Sequence, residues 1–433
     1  MTEGNSTIPL PGFNLIDYFL HVLCSIEKNQ AVIIALGLRH HRCHRITTRF
    51  SRPEHVGIGV IHFLLKYIRA KDSINRTSVI MHTFKHLQNL PLLMSTLRAT
   101  LSNRHPTDDT NMGAKVGIIG CGRWGSVHLK TLAQLKQDGF VAEIHGCDIN
   151  PEKGLEFADL LTTFSTDWQE LVSREKLDVI AIVTPADTHH KLAISLLDYC
   201  TNLFIEKPIS LQETQTAEIL VKTQELGGTL LIGHILRFHA GLLKANELID
   251  SGTIGQLQSV DFSRISTRKP PRNSNLFEAL AIHGIDTACF CFGEAEPSRL
   301  SIDSLRSDAQ KSPDGVRICL EFPGTKEALI DVGWNGEKEV REIIFTGSKG
   351  TITVDTKDSH NILVSTQNHH EQYLLEDSEL PLTAEWKYAL AQTARGAKPA
   401  IYPSVGSIFR SMKWMDKAKL ESERINYTNG RPE

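Results

Sequence analysis

Gly120-Cys121-Gly122-Arg123-Trp124-Gly125 is the stretch that most limits what this chain can fold into. It follows directly on the apolar run 115–119, and a helical spacing of apolar residues (Val127, Leu129, Leu132, Leu135) begins at once behind it. A buried strand, a glycine turn and a helix in that order form the phosphate-binding corner of a doubly wound sheet. Gly120 permits the tight turn, and Gly122 removes a Cβ where backbone must approach a pyrophosphate. Gly125 lets the helix pack close to the strand. The helix start adds free N–H groups and a partial positive charge. Six residues alone would also suit a glycine turn in any doubly wound protein, so the flanks must decide.

Residues 141–147 read as a second strand with Asp148 at its carboxyl end. A carboxylate there accepts hydrogen bonds from an adenosine ribose and repels a 2′-phosphate, which favours NAD over NADP. Lys153 is the first cation beyond it that could serve a phosphate, and the competing reading of Asp148 is a helix cap ahead of Pro151. Residues 178–184 form an apolar strand ended by Pro185, with Asp187 expected to cap the helix that runs to about 198. Strand 202–205 leads into Glu206-Lys207-Pro208, helix 211–226 follows, and Gly227-Gly228 turns into strand 229–233. Such alternation predicts a mostly parallel sheet with right-handed crossovers, whose ligands lie beyond the carboxyl ends of the strands. Gly120, Asp148, Thr184 and Lys207 all fall at such ends.

Beyond about 233 the pattern changes to a helix near 242–249, a long strand 258–266 and a polar loop 267–275 with Pro270-Pro271. A helix at 279–292 is followed by strands at about 299–304, 315–323, 327–334, 340–346 and 350–355. Successive strands without intervening helices predict an antiparallel or mixed sheet. Helices at 381–395 and 404–422 close the chain. The fold class is therefore α/β with a Rossmann domain over 113–235, an α+β domain over 236–425 carrying a large, mostly antiparallel open-faced sheet, and an N-terminal extension 1–112 expected to be helical.

The extension is basic, with 13 Lys and Arg against 7 Asp and Glu over residues 1–111, whereas the whole chain carries a net charge of −3. Nothing global points to nucleic acid or an anionic membrane. His40, His41, Cys43 and His44 could offer metal ligands, but no second pair stands at finger-like spacing, so a basic solvated surface is expected and no metal is assigned. The eight cysteines include no CxxC pair and mostly lie in apolar segments, as expected of reduced thiols in a cytoplasmic protein. The longest apolar stretches are interrupted by Asp17, His21 and His62, and the start lacks a basic leader region.

Four motifs occur in order: the glycine fingerprint, Thr184-Pro185 with His189, Glu206-Lys207-Pro208, and Ala281-Ile282-His283-Gly284-Ile285-Asp286. Together they resemble the glucose–fructose oxidoreductase, inositol dehydrogenase and rhizopine catabolism (Gfo/Idh/MocA) family over about residues 114–425. The resemblance implies a nicotinamide-binding Rossmann domain and an open-faced sheet domain that forms the substrate site and pairs copies into a dimer or tetramer. It assigns the cofactor to Gly120, Cys121, Gly122, Arg123, Trp124, Gly125, Asp148, Thr184, Pro185, His189, Glu206 and Lys207. The family lysine falls on Lys207 and the family histidine on His283. Many members carry an aspartate four residues before that histidine; here Ala279 stands there, leaving Glu278 or Asp286 as substitutes.

These residue types suit oxidation of a sugar carbinol. Histidine titrates near neutral pH and accepts the hydroxyl proton, while lysine holds the oxygen and depresses the histidine. Read singly, Lys207 is a solvated lysine after a strand and His283 a helix residue satisfied by backbone. Gly233-His-Ile-Leu-Arg237, Arg268 with Arg272, and 333–350 are similar to the UDP-N-acetylglucosamine 3-dehydrogenase branch of the family. That similarity implies a nucleotide-sugar whose diphosphate meets Arg237, Arg268, Lys269 and Arg272, since guanidinium forks pair with phosphate oxygens. The expected function is hydride transfer between nicotinamide and a secondary hydroxyl of a sugar or nucleotide-sugar, with Lys207, His283 and Asp286 catalytic and Lys207, Arg237, Arg268, Arg272 and His283 at the substrate. An inositol, a free aldose or an imine as substrate, or a non-catalytic NAD-binding sensor, are the rival readings.

Overall fold

The continuous apolar runs of 114–233 assemble into a parallel sheet, because strands buried on both faces need hydrophobic residues at every position. The computed structural model describes residues 113–271, 275–306, 313–367, 369–376, 378–394 and 397–429. The extension and its histidine cluster, and Arg272, lie outside these. Strand β1 (Ala114–Ile119) turns into α1 (Arg123–Gln137), β2 (Val141–Cys147), the short α2 (Glu152–Glu156) and β3 (Thr163–Ser165). Then come α3 (Trp168–Arg174), β4 (Val179–Ile182), α4 (Ala186–Leu196), β5 (Asn202–Glu206), α5 (Glu213–Glu225) and β6 (Thr229–Gly233). Every residue of β4 and β6 is buried.

A 3-10 turn (Ile235–Phe238) and α6 (Ala240–Asp250) lead out of this sheet into β7 (Leu257–Ile265). The single helix expected at 279–292 is two segments, a π-helical turn (Phe277–Ala281) running into α7 (Ile282–Cys291). Strands β8 (Arg299–Arg306), β9 (Gly315–Phe322), β10 (Lys326–Gly333), β11 (Val340–Gly347) and β12 (Gly350–Asp355) follow the expected positions within a few residues. Two further strands, β13 (Asn361–Thr366) and β14 (His369–Leu374), extend the sheet at its edge. Helix α8 (Pro381–Thr393), the two-residue strand β15 (Ile401–Tyr402) and α9 (Val405–Asn429) complete the described chain.

The first sheet has the order β15-β6-β5-β4-β1-β2-β3, all parallel, the order of a dinucleotide-binding sheet with one strand added. That added strand comes from the far end of the chain, so 381–402 returns across the boundary expected at 235 and covers the first sheet. The second sheet, β14-β13-β12-β11-β7-β10-β9-β8, is antiparallel except where β10 runs parallel to β7. Its strands alternate: Val260 and Phe262, Ala328, Ile330 and Val332, and Ile343 and Phe345 are buried, while residues between them are not. The buried face is covered by α6, the π turn and α7, which share one core with it.

Helix α9 joins the layers. Ile408 and Met412 pack into the core on one side of the first sheet, and Trp414, Met415 and Ala418 into the core of the second. Among the described residues no helix is long and apolar enough to cross a membrane.

One buried group works against the fold. Glu385 on α8 is fully buried and neither carboxyl oxygen has a partner among the described residues. Burial first, and the Glu206 charge second, hold its carboxyl well above the usual carboxylate range. The folded protein keeps this proton, whereas the unfolded chain releases it above a pH of about 4.3. Stability contributed by the protonated form is therefore fully present in acid and is lost as pH rises. Glu385→Met is expected to remove an unpaired buried group costing about 1–3 kcal/mol. Thermal denaturation should show a higher midpoint for the variant, by more at pH 8 than at pH 5.

Candidate active site

The glycine corner forms where β1 meets α1. Gly120 has φ +98°, and a Cβ there would sit 2.8 Å from the Thr184 nitrogen and from the Val183 carbonyl at the end of β4. A Cβ on Gly125 would lie 2.0 Å from the Gly120 oxygen, so those two positions exclude any side chain on packing grounds. Gly122 differs: a Cβ would meet nothing within 4 Å. Packing does not require glycine at 122, whereas a dinucleotide lying against the turn does. Gly122 also caps α1 without a side-chain bond, leaving the first N–H groups of the helix free for an anion. Arg123 and Trp124 open that helix and are exposed, while the Cys121 thiol is fully buried and pushed up to about 12 by burial.

Asp148 sits at the carboxyl end of β2. Its Oδ2 accepts from the Cys121 N–H (2.7 Å) and its Oδ1 from the Asn150 N–H (2.9 Å). The carboxylate thus braces the glycine turn from the adjacent strand end and stays partly exposed. Pro185 is the N-cap of α4, and Asp187, expected to cap it, lies within the first turn instead. These groups fit a nicotinamide dinucleotide: a cradle free of Cβ atoms, a free helix start and a carboxylate at the second strand end.

Two expected cofactor contacts are turned inward. His189 is 1% exposed, with Nδ1 2.9 Å from the Pro208 oxygen and Nε2 2.8 Å from the Thr184 oxygen, so no ring face is open to a ligand. It ties the end of β4 to the segment after Lys207. Glu206 is buried too, and its Oε1 accepts from Trp124 Nε1 (2.7 Å) and His128 Nε2 (3.0 Å). Trp386 Nε1 donates to His128 Nδ1 (3.0 Å), which leaves the His128 hydrogen on Nε2 facing Glu206. Burial would raise Glu206, but His128, Trp124 and Lys207 keep it below its ordinary value.

Lys207, at the end of β5 and joined to Pro208 by a cis peptide, reaches across to the second layer. Its Nζ donates to the carbonyl oxygens of Glu278 and Ala279, each at 3.0 Å. Both carbonyls belong to the π turn, a distortion that redirects backbone acceptors and is common at functional sites. Burial lowers the ammonium to about 8 over the opposing pull of Glu206, with Arg264 adding to the depression. His283 follows one turn later, 6% exposed, and its ring makes no hydrogen bond among the described residues. Burial, then Lys207, Arg264, His234 and Arg341, hold it well below the ordinary histidine range. Gly284 beside it is a packing requirement, since a Cβ would lie 2.6 Å from Ile330 and 2.8 Å from Phe262.

Asp286 and Arg237 are brought together, but with each other. Arg237 Nε and Nη2 donate to Oδ2 and Oδ1 of Asp286, both at 2.8 Å, and Nη1 donates to Glu294 (2.7 Å). Ser411 Oγ on α9 donates to Asp286 Oδ1 at 2.9 Å. Burial would raise the Asp286 carboxyl, yet His234 and Arg237 pull it down to about 2. Both side chains are at most 4% exposed, so neither the expected diphosphate contact of Arg237 nor the expected proton-handling role of Asp286 has a route to a substrate. Arg268 is exposed on the rim just past β7; its carbonyl accepts from the Asn335 N–H (3.0 Å).

Two site residues escape the motif reading. Arg264 and Arg341 lie opposite each other on β7 and β11, and both act on His283. Period-two alternation from Val260 and Phe262 puts Arg264 on the apolar face, a signal legible once the strand is recognised.

The glycine corner and its sheet match the family described as "Oxidoreductase family, NAD-binding Rossmann fold" over residues 114–234, and the second layer matches the GFO/IDH/MocA C-terminal domain over 242–353. Inositol 2-dehydrogenase of Rhizobium meliloti (strain 1021) is 26% identical over 296 residues, covering 61% of this chain and 83% of that protein. Myo-inositol 2-dehydrogenase of Thermotoga maritima is 23% identical over 330 residues, covering 72% of this chain and 97% of that protein. Among solved structures, UDP-N-acetylglucosamine 3-dehydrogenase GnnA from Acidithiobacillus ferrooxidans superposes with a TM-score of 0.62 at 20% identity, over 71% of this chain and 97% of that chain.

The open space at Gly122 separates binding from folding. Gly122→Ala is expected to lower the thermal midpoint by no more than about 3 °C, since the methyl meets nothing within 4 Å and the cost is only that of alanine replacing an N-cap glycine. Its affinity for NAD, read by fluorescence titration, should fall about ten-fold or more, because the methyl occupies the pyrophosphate approach. Unchanged affinity would place the dinucleotide elsewhere.

Proposed function

The chain belongs to the Gfo/Idh/MocA oxidoreductase family, and from that membership we propose an NAD-dependent dehydrogenase that oxidises, or in reverse forms, a secondary hydroxyl of a sugar or nucleotide-sugar. The observation that carries this reading is the reach of Lys207 Nζ to the Glu278 and Ala279 carbonyls, which joins the cofactor-side strand end to the turn preceding His283. The bound dinucleotide supplies the hydride acceptor. Preference for NAD over NADP rests on Asp148, whose carboxylate repels a 2′-phosphate. Sugar and polyol chemistry is supported by the inositol and nucleotide-sugar dehydrogenases that the chain is similar to.

The two side chains divide the proton work. An ammonium has three N–H donors; two are committed to the π-turn carbonyls, which fixes the group and leaves one for the substrate oxygen. That positive charge stabilises the oxygen as its proton departs. His283, kept unprotonated at neutral pH by burial and its cationic neighbours, presents a nitrogen lone pair to accept the proton. Its own orientation comes from α7, and no carboxylate is needed as a relay: Ala279 contributes its carbonyl to Lys207 instead.

Lys207→Met is expected to lower kcat/KM by about 10²- to 10⁴-fold, measured as NADH absorbance over a panel of polyols, aldoses and nucleotide-sugars. Affinity for NAD should stay within about three-fold, and equal loss of both would make Lys207 a structural group. In the oxidative direction kcat/KM should fall as pH rises through about 8, where the ammonium is lost. The acid limb should lie below the ordinary histidine value of about 6.5, because only there does His283 take up a proton. A rate that rises through pH 8 would instead make Lys207 the base.

A further inference from the structure

We propose that the substrate carries an anionic oxygen group, a carboxylate or a phosphate, close to its reacting hydroxyl, and that Arg264 binds it with Arg341 as its neighbour. The inference rests on the reading that this crevice takes a sugar, and it narrows which sugars.

Four observations converge. First, Arg264 occupies the wrong face for a solvated arginine. It continues the row of Val260 and Phe262, and Phe262 lies directly beneath Gly284, next to His283. Second, Arg264 is the Cα partner of Arg341 in the antiparallel β7–β11 ladder. Like charges directly opposite on one face repel across about 5 Å, which destabilises a sheet unless something between them is negative. Third, no carboxylate pairs with Arg264 itself: Glu339, the acid acting on it, is bonded to Arg341 Nε at 2.8 Å. Arg264 makes no ion pair or hydrogen bond among the described residues, and its Nε is buried without a partner. The other arginines that the layers bury or half-bury are matched: Arg237 with Asp286, Arg317 with Asp331, Arg410 with Glu294, and Arg341 itself with Glu339. Fourth, the neighbouring strand offers another idle donor. Val332 is the β10 partner of Arg264, and two residues on, the Trp334 indole N–H is buried and unpartnered.

A half-buried guanidinium with no ion pair, beside an uncommitted donor and a like charge, is costly unless a ligand completes it. A guanidinium fork accepts two oxygens of a carboxylate or phosphate side by side. The surrounding field favours such a group, since Lys207, Arg264 and Arg341 all bear on His283 with the same sign. Substrate and protein would then be incomplete in complementary ways.

The test is equilibrium binding by calorimetry to the full chain saturated with NADH, using matched pairs: glucuronate or glucose 6-phosphate against glucose, galacturonate against galactose, and inositol 1-phosphate against myo-inositol. The anionic member of at least one pair should bind about ten- to hundred-fold more tightly, as expected for a charge-assisted fork. The uronate and phosphate arms identify which oxyanion fits. Arg264→Gln should erase the preference, weakening the anionic sugar about ten-fold or more beyond any change it makes to the neutral sugar or to NADH. Arg264→Lys, which keeps the charge and loses the fork, should retain part of it. Should Arg264→Gln fail to fold, the lysine variant and selective weakening of the anionic sugars by added salt provide the same reading. Absence of a preference in every pair overturns the proposal, and so does an equal loss of NADH affinity in Arg264→Gln, which would assign the guanidinium to the cofactor's diphosphate. Anion preference without NADH turnover on any sugar would sink the dehydrogenase reading and leave this one standing.

Discussion

The buried fork between Arg237 and Asp286 decides where the candidate base stands. Asp286 lies one helical turn after His283 on α7, and its two oxygens are saturated by Arg237 and Ser411. Arg237 comes from the turn leaving β6, and Ser411 from α9, so three segments distant in sequence converge on one carboxylate. Glu294 then binds both Arg237 and Arg410, drawing the end of α7 into the same network. Removing one partner of such a buried pair costs about 3–5 kcal/mol, because the remaining charge is stranded. The pair adds little to net stability beside an apolar substitute, yet it admits only one placement of α7. An imidazole with no hydrogen bond of its own, as His283 is, depends on that placement entirely.

The two layers are joined at the same place from the other side. Helix α9 shares its length between the cores of both sheets, and α8 with β15 returns to seal the first. Lys207 bridges the gap between them at the strand ends. The rim where ligands gather in a doubly wound sheet is therefore the line along which the second layer is fastened. Cofactor-side and substrate-side groups are held by one set of contacts, which is why a change in packing at Gly284 or Asp286 would be felt at the imidazole.

How much of this was legible in the sequence follows from how local each signal is. The glycine turn, the strand ends and Lys207 stand in short contiguous patterns, and so does the alternation of β9 to β12. The π turn does not, since no residue type marks an extra acceptor within a helix. Arg237 reads as a phosphate ligand only until Asp286 and Glu294 are brought to it, and nothing in either motif announces that pairing. His189 reads as a cofactor contact because it follows Thr184-Pro185; its two backbone acceptors appear only when β4 and β5 lie side by side. Strand β14 escapes because most of its side chains are exposed, leaving no buried face to betray a period of two, and β15 is two residues long. Arg264 was readable in principle, but an arginine inside an apolar alternation is discounted unless its register partner is known to be another arginine.

Charge placement across the site has a consistent logic. Glu206 and Glu385 are buried on the same side of the first sheet, but one is held charged by Trp124, His128 and the Lys207 ammonium, while the other has no donor and stays protonated. A single negative charge therefore backs Lys207 on the cofactor side. On the substrate side no carboxylate among the described residues bonds Arg264, with Glu339 acting on it only while paired to Arg341. The cationic groups there hold His283 well below the ordinary histidine range. A fold selected for stability alone would pair or replace an arginine in that position. Its persistence on an otherwise apolar face, opposite a second arginine, is the kind of local conflict that proteins retain where a ligand completes the structure.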